Sequence, residues 1–391
     1  MKILHCFWAY LYPSENWIYR LLTGTSSVKI HIAAENFLKN AFLNPDFTYF
    51  KYPFQYLSGG PAPVLRLSNK ILDRIRTHYP YQRYLKDVAR IHRINILHAH
   101  FAHMGWEYLP LAKKLRIPYV ISFYGFDYES LPNSQPEFKE RYQMLFKEAD
   151  AFICEGNHGA GILSKIGCPR EKIHVVKLGV DSNSIPFFKR NKKSGELKLV
   201  QVAAFREKKG QLDTLKAFEK ALPKCPGIEL TLAGYGDEPY KQQILEYIHN
   251  SIFLKGRMNF IEFQEGVKFD YYRLHGFLKD FHVFIHPSRY AGDMDCEGGA
   301  PVVLLDAQAT GMPVISTRHC DIPSEVIHGC TGFLAQEKNV EELSEYICAF
   351  YRMNNENYQK FAGEARSHVM QNYESAKNSN DILPVYKSLI E

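Results

Sequence analysis

The sequence predicts an α/β protein of two domains, each built around a doubly wound parallel sheet. The chain has 391 residues, which is long for one core, and its 46% hydrophobic and 23% charged residues are typical of a folded globular protein. Short continuous apolar runs alternate with longer amphipathic stretches, and this alternation occurs twice along the chain. A charged, turn-forming stretch at residues 189–195 separates the two series and predicts a linker.

The first half contains six apolar runs that indicate strands of one sheet. Runs without polar alternation are typical of parallel strands that are buried on both faces. The predicted strands cover residues 3–7, 28–33, 96–100, 119–123, 151–154 and 175–181. Amphipathic segments between them predict helices, among them residues 64–75 and a helix that runs through residues 108–115.

The second half repeats this pattern with five apolar runs. Its predicted strands cover residues 197–202, 228–233, 259–263, 283–285 and 314–316. The tail, residues 340–391, is predicted to be helical. Two such halves joined by a linker predict a cleft between them, and ligands of these sheets bind beyond the carboxyl ends of the strands.

The sequence gives no indication of export or of a membrane span. No stretch reaches the roughly 18 to 20 uncharged apolar residues that a span needs. The N-terminus is too short and too quickly polar for a signal peptide, so we expect a cytoplasmic protein. The eight cysteines are scattered without a C-x-x-C pair, which predicts buried free thiols, and the pair His319-Cys320 is too little to indicate zinc.

Residues 49–94 carry a strong positive charge. They contain nine Lys or Arg residues against two Asp, a balance of +7 in a chain of net charge +6, and many aromatic residues. The helical stretch in this segment places apolar and basic side chains on different faces: Leu67, Ile71 and Ile75 on one, Arg66, Lys70 and Arg74 on another. This pattern favours contact with an anionic membrane surface, at the inner membrane face. The alternative is a solvated helix packed on its own domain. No nucleic-acid-binding motif accompanies the charge, so nucleic acid is not expected as a partner.

The most informative stretch runs from Glu297 to residue 317. It predicts a glycine loop, a buried helix and a strand. Pro301 suits the first position of the helix, and Gly311 suits the residue just beyond its end. The start of the helix therefore directs free N–H groups toward the glycine loop, which is a geometry that binds phosphate. Glu297 and Asp306 add hydroxyl acceptors on either side, and the combination suits a sugar nucleotide.

This stretch resembles the donor-site signature of glycosyltransferase family 4, whose members are retaining sugar-nucleotide transferases of GT-B fold. Their signature has two glutamates separated by seven residues, then Ala, a Gly-x-Pro turn and a strand. Here the separation is eight residues and the second acid is Asp306. A longer glycine loop explains the spacing, and Asp for Glu shortens the reach by one methylene.

The resemblance implies a GT-B fold, with two Rossmann-like doubly wound domains that face each other across a cleft. Residues 1–185 would bind the acceptor and residues 186–365 the sugar nucleotide. Residues 366–391 would form a C-terminal helix that crosses back to brace the first domain. The implied activity is transfer of a sugar from a UDP- or GDP-linked donor to a hydroxyl of a glycan or lipid-linked acceptor in polysaccharide assembly.

The resemblance also assigns roles at the donor site. Glu297 would hold a sugar hydroxyl and Asp306 the ribose, while Lys209 would neutralise the leaving diphosphate. The implied loop and helix positions that contact the donor are Gly298, Gly299, Ala300 and Val302. In the family an Arg lies five residues before this Lys, but here that position is Ala204, so Arg206 is the substitute candidate.

Gly234 begins a Gly-x-Gly turn that is common at this place in the family. Taken alone, the turn hints at a dinucleotide fingerprint, which we consider a weak interpretation because its third glycine is missing.

The first domain supplies the remaining candidates. Tyr124 stands where the family often has a His that contacts the donor sugar, and it is therefore a catalytic candidate. His100 and His103 lie at the end of the preceding strand, and one of them could face the acceptor; His100 is a further catalytic candidate. The alternative for each is a satisfied buried or rim histidine. The loop from Pro13 to Trp17 resembles the acceptor loop of polysaccharide-assembly members, which makes its Glu15 and Asn16 candidate acceptor contacts.

No metal or cofactor is expected. Asp293 and Asp295 form an Asp-x-Asp pair, which is a metal signature in the GT-A fold, but they lie in a polar loop rather than directly after a strand. No side chain is well placed to be a covalent nucleophile, so we expect front-face transfer in which the leaving phosphate helps to deprotonate the acceptor. Two other readings stay open: a degenerate, non-catalytic subunit that binds a glycan or protein partner, and an epimerase or phosphorylase of the same fold.

Overall fold

The computed structural model describes residues 1–12, 15–38, 42–54, 62–236, 238–263 and 271–391. Within these residues the chain forms two parallel sheets with helices around them. The predicted α/β architecture of two doubly wound halves is therefore confirmed.

The first sheet has seven strands among the described residues, in the order β3-β2-β1-β4-β5-β6-β7. All neighbouring strands run parallel. Their bounds are β1 Lys2–Tyr10, β2 Lys29–Phe37, β3 Thr48–Phe50, β4 Ile96–His100, β5 Tyr119–Ser122, β6 Ala151–Cys154 and β7 Ile173–Val175. The strand order reverses between β1 and β4, so the loops that follow these two strands diverge and leave a crevice at the carboxyl edge.

The second sheet has six strands in the described part of the chain, in the order β10-β9-β8-β11-β12-β13. Its neighbouring strands also run parallel. Their bounds are β8 Leu197–Val202, β9 Ile228–Gly234, β10 Met258–Glu262, β11 Val283–His286, β12 Val314–Thr317 and β13 Gly332–Ala335. Here the order reverses between β8 and β11, which places the crevice of this domain after these two strands.

Helices connect the strands and close the chain. In the first half they are α1 Asn16–Gly24, α2 Ala62–His78, α3 Tyr81–Ile91, α4 Ala102–Leu115, α5 Gly125–Tyr128, α6 Ser130–Ser134, α7 Phe138–Glu148 and α8 Asn157–Lys165. In the second half they are α9 Gln211–Ala221, α10 Glu238–Asn250, α11 Tyr271–Leu278, α12 Val302–Ala309, α13 Ile322–Glu325, α14 Val340–Arg352, α15 Asn355–Asn372, α16 Ser375–Ser379 and α17 Ile382–Ser388. No helix in the described ranges combines the length and apolar character needed to cross a bilayer.

The last predicted strand of the first half is wrong in its position. It was predicted over residues 175–181, whereas the observed strand β7 covers Ile173–Val175 and residues 176–179 have no regular structure. Val180 instead forms an isolated bridge with Glu374, and it packs in one cluster with Val369 and Tyr373. The apolar run is thus buried by the C-terminal segment rather than by a neighbouring strand.

The C-terminal segment crosses from the second domain to the first. Residues 366–391 do not form the single helix that was expected, because they comprise the end of α15 followed by α16 and α17. In α17, Ile382 and Tyr386 pack in one cluster with Ile3 and Ile96 of the first sheet. The Tyr386 hydroxyl lies 2.6 Å from Nδ1 of His98.

Helix α2 packs only loosely on the molecule. Leu67 is 65% exposed and Ile71 is 55% exposed, whereas Ile75 is half-buried. The basic residues on the other face are exposed: Arg66, Lys70 and Arg74. Residues 55–61 of the basic segment lie outside the described residues.

The cysteines have the predicted character. Six of the eight are buried and two are half-buried, and all are free thiols.

Candidate active site

An ion pair between Lys209 and Glu297 forms the centre of the candidate site. Lys209 ends a short 3₁₀ turn after β8, and Glu297 lies in the glycine loop before α12. The Lys209 ammonium donates to Oε2 of Glu297 at 2.5 Å, and the Ser288 hydroxyl donates to Oε1 at 2.8 Å. The Lys209 side chain is 17% exposed and the Glu297 side chain is 6% exposed. The structure thus joins two residues that the sequence predicted at the donor site.

The electrostatics of this pair keep the carboxylate ionised. Burial opposes the charge on Glu297, but Lys209 and Lys208 outweigh it and hold the pKa of that carboxyl far below its usual range. Burial lowers the pKa of Lys209, and the Glu297 charge opposes that shift. Lys208 donates to Oδ1 of Asp295 at 3.0 Å and to the carbonyl of Cys296 at 2.9 Å. Two ammonium groups are therefore held beside the glycine loop, where a phosphate would meet them.

The glycine loop touches the first domain. Gly298 has φ +80°. A methyl group on it would lie 2.4 Å from the amide nitrogen of Gly125, at the start of α5. A methyl group on Gly125 would in turn lie 2.3 Å from the carbonyl oxygen of Cys296. Only glycine allows this approach on both sides, so the loop and α5 close one side of the gap between the domains.

The helix after the loop begins one position later than predicted. Pro301 is extended (ψ 116°) and caps α12, which starts at Val302, and Gly311 follows the helix end with φ +75° as expected. The side chain of Val302 packs in the core with Leu178 and Leu305. Val302 could therefore bind a sugar nucleotide only through its backbone amide.

Asp306 bridges the domains from inside α12. Its carboxylate lies 3.3 Å from the Arg20 guanidinium of α1 and 3.3 Å from Nε2 of His275. The side chain is 3% exposed. Arg20 is a site residue that the sequence did not indicate, because nothing in α1 signals a partner in the other domain. The role of Asp306 toward a ribose stays a prediction.

Glu155 is a second residue that sequence reasoning missed. It follows β6 directly, and a methyl group on Gly299 would lie 2.8 Å from its side chain. Burial and the charges of Asp321 and Glu297 raise the pKa of Glu155 to about 8. A pocket between the domains is lined by Glu155, Lys177, Ala300 and Asp321. The position at the carboxyl end of a strand was the available signal.

Two further residues predicted at the donor site are Arg206 and Gly234. Arg206 is exposed and acts electrostatically on Glu15 across the gap. A methyl group on Gly234 would lie 1.9 Å from the carbonyl oxygen of Ala203, so this glycine is required for packing between neighbouring chain segments. Because glycine has no side chain, Gly234 could contact a donor only through its backbone.

Two of the three predicted acceptor residues, Glu15 and Asn16, lie at the start of α1. The Tyr12 N–H donates to the Glu15 carboxylate at 2.9 Å, and Asn16 is the first residue of the helix. Burial raises the pKa of Glu15 to about 7, although the Tyr12 hydrogen bond and Arg206 oppose that shift. Pro13 and Ser14 of the same loop lie outside the described residues.

Tyr124 and His100 form a buried pair behind this loop. The Tyr124 hydroxyl lies 2.7 Å from Nδ1 of His100, and Nε2 of that ring lies 3.0 Å from Nδ1 of His5. Burial raises the pKa of Tyr124, while burial and two neighbouring histidines lower the pKa of His100, so both groups are neutral. His100 is fully buried, so in this conformation it lies behind Tyr124 and does not face an acceptor. His103 is half-buried in the first turn of α4.

Comparison with known proteins identifies the family. The model for glycosyl transferases group 1 matches residues 183–368, and the model for glycosyltransferase family 4 matches residues 48–184. A colanic acid biosynthesis glycosyltransferase by name, WcaL of Escherichia coli (strain K12), is 28% identical over 311 residues, which are 77% of this chain and 72% of that protein. The amylovoran biosynthesis glycosyltransferase AmsK of Erwinia amylovora is 30% identical over 261 residues, 65% of this chain and 60% of that protein.

Solved structures share the fold over the whole chain. Anabaena Alr3699/HepE in complex with UDP-glucose superposes with a TM-score of 0.73 at 16% identity and covers 100% of both chains. Sucrose-phosphate synthase of Thermosynechococcus elongatus reaches 0.76 at 14% identity, over 100% of this chain and 99% of that chain. The predicted GT-B fold is thereby confirmed, and the chain belongs to the glycosyltransferases described by the group 1 and family 4 models.

Proposed function

We propose that the protein is a retaining glycosyltransferase that moves a sugar from a nucleotide-diphosphate donor to a hydroxyl of a glycan or lipid-linked acceptor. The observation that carries this proposal is the Lys209–Glu297 pair, whose acid belongs to a glycine loop that faces the first domain at Gly125. The family membership supports the reaction class. The names of WcaL and AmsK support a place in polysaccharide biosynthesis, and the UDP-glucose complex of Alr3699/HepE supports a nucleotide sugar as donor.

The proposed chemistry uses charge stabilisation rather than a covalent intermediate. The ammonium groups of Lys208 and Lys209, with the amides of Gly298 and Gly299, would stabilise the negative charge that builds on the leaving diphosphate. Glu297 would orient the transferred sugar through a hydroxyl. An oxygen of the leaving phosphate would take the proton of the attacking hydroxyl on the same face, which retains the anomeric configuration. In this scheme no metal is required.

The missing family arginine at Ala204 has local substitutes. Lys208 lies at the site through its contacts with Asp295 and Cys296, and Arg206 lies two residues along the chain from Ala204. These cations favour an active transferase over the degenerate subunit.

We propose, in addition, that α2 holds the protein at an anionic membrane surface, where a lipid-linked acceptor would lie. The exposed Leu67 and Ile71 beside exposed basic residues support this proposal. Partition of apolar side chains into the interface and attraction of Lys and Arg to anionic lipids would act together.

The test of the transferase is release of nucleoside diphosphate from a panel of UDP- and GDP-sugars, with lipid and glycan extracts as acceptors. Lys209→Ala should lower kcat/KM by about 10²- to 10³-fold, as removal of one preorganised donor to a developing anion does. Lys216→Ala, an exposed lysine of α9, is the matched control and should keep full activity.

Equal activity of Lys209→Ala and the unmutated protein would contradict the proposed site. Absence of release above background with every donor would favour the non-catalytic subunit. The anomeric configuration of the product, read by NMR, tests retention separately.

A further inference from the structure

Three potential ligands of a soft metal ion meet between the two domains. His158 belongs to α8 of the first domain, Cys296 directly precedes Glu297, and Cys320 follows β12. One ligand atom from each of these three side chains lies within 4.8 Å of the other two. We propose that His158, Cys296 and Cys320 bind one thiophilic divalent cation of the zinc type. The sequence did not indicate such a site, because only the packing of the first domain against the second brings His158 to the two cysteines.

The donor set and its spacing fit this class of ion. Thiolate and imidazole are the ligands that zinc prefers, with bonds of about 2.3 Å to sulfur and about 2.0 Å to nitrogen. A tetrahedral ion therefore separates its ligand atoms by roughly 3.5 to 4 Å, and shifts of about 1 Å would bring these three side chains to that spacing. Cys296 is fully buried, whereas Cys320 and His158 are half-buried, so the ion would be shielded on one side and open on the other.

Neighbouring groups hold the ligands in place. The Tyr290 hydroxyl lies 3.2 Å from Nε2 of His158 and fixes the orientation of that ring. Cys320 has φ +46°, a backbone conformation that non-glycine residues rarely adopt and that is concentrated at ligand clamps and active sites. Oε2 of Glu129 is buried without a hydrogen-bond partner among the described residues, and its charge acts on His158 and Tyr290. A carboxylate or water could occupy the fourth position.

The proposed ion would join the domains beside the candidate active site. Its imidazole ligand comes from one domain and its two thiolates from the other, so binding would favour the domain arrangement seen in this structure. Because Cys296 is bonded to Glu297, the ion would also fix the backbone that presents the acid to Lys209. This consequence for catalysis rests on the proposed transferase function, whereas metal binding does not.

The test uses the full chain, reduced and freed of metal, and titrated with Co²⁺. The expected result is a sulfur-to-cobalt charge-transfer absorption that saturates at one ion per chain and disappears when Zn²⁺ is added. Cys296→Ser and Cys320→Ser should each abolish or strongly reduce the band, and His158→Gln should weaken cobalt binding at least about tenfold. Cys225→Ser is the control. It removes one member of the other close thiol pair, whose sulfurs lie 3.0 Å apart, and should leave the band unchanged.

A second measurement uses only the unmutated protein, so it does not depend on whether the variants fold. In the unmutated protein, bound Zn²⁺ should protect Cys296 and Cys320 from alkylation, as read by peptide mass spectrometry, while Cys330 stays reactive. The proposal is overturned if equimolar cobalt gives no sulfur band, if the band survives Cys296→Ser and Cys320→Ser, or if zinc protects neither thiol. Recovery of a Cys296–Cys320 disulfide from protein purified with zinc present would also overturn it. None of these readouts requires transferase activity.

Discussion

The carboxyl group of Glu155 has an unusual proton affinity because it is buried near two acids of the second domain. Its pKa is raised from 4.5 to about 8 by burial and by Asp321 and Glu297. A carboxyl group with a raised pKa in the folded state stabilises the fold when protonated. This contribution is fully present below pH 4.5 and is lost as the pH rises toward about 8.

Replacement of Glu155 by glutamine should therefore change the pH dependence of stability. The unmutated protein should lose stability relative to Glu155→Gln as the pH rises from 4.5 to about 8, and the difference should level off above that value. Thermal unfolding midpoints of the two proteins across this range provide the measurement. A difference that is constant, or that shifts in favour of the unmutated protein at higher pH, would contradict the assignment.

At the residue level, the sequence was most informative where the donor motif is local. Lys209 and Glu297 could be placed because each belongs to a short pattern of strand, turn and helix. The pairing of Arg20 with Asp306 and of Glu155 with Gly299 could not be predicted, because the partners lie in different domains and no local pattern encodes such a pairing. The burial of His100 could not be predicted for a similar reason. Its place at the end of a strand was predicted, but its burial depends on how the neighbouring aromatic rings pack.

Among the elements, the contact between α5 and the glycine loop sets how closely the domains approach. Gly125→Ala should push the loop away, because a methyl group would lie 2.3 Å from the carbonyl oxygen of Cys296. We expect a loss of activity of about 10²-fold, since a displacement of about 1 Å at reacting groups has that effect. Small-angle scattering should report a more open molecule.

The matched control is Gly161→Ala in α8, where a methyl group meets nothing within 4 Å. Alanine in a helix interior should there increase stability by about 0.5 to 1 kcal/mol with activity unchanged. If both alanine variants retain activity and the same scattering profile, the close contact at Gly125 is not important.

Sequence analysis located strands that mostly lie inside the sheets, although one of them, β10, lies at an edge. It missed β3 and β13, which have three and four residues and lie at sheet edges. It also placed the last strand of the first half too late, because Val180 is buried by a partner almost at the other end of the chain. An apolar pattern in the sequence indicates that a side chain is buried, but it does not indicate which segment of the chain covers it.

For the molecule as a whole, the exposed face of α2 predicts an association that depends on charge. Neutralising Arg66, Lys70 and Arg74 with glutamine should weaken binding to anionic vesicles by about 10²-fold, at about 1 kcal/mol for each residue. The same replacement of Lys216, Lys220 and Lys224 in the second domain is the control. Flotation with vesicles of phosphatidylcholine and phosphatidylglycerol measures the effect. Failure of the unmutated protein to float at low salt, or equal flotation of both triple variants, would refute membrane docking.

The return of the C-terminal segment to the first sheet has a consequence for biosynthesis. Residues 382–391 are synthesised after the second domain, yet Ile382 and Tyr386 cover apolar side chains such as Ile3 that are synthesised before it. During synthesis, one face of the first domain therefore stays uncovered until the segment that follows the second domain has been made. Removal of residues 382–391 should consequently impair the first domain, although these residues follow the second domain in the chain.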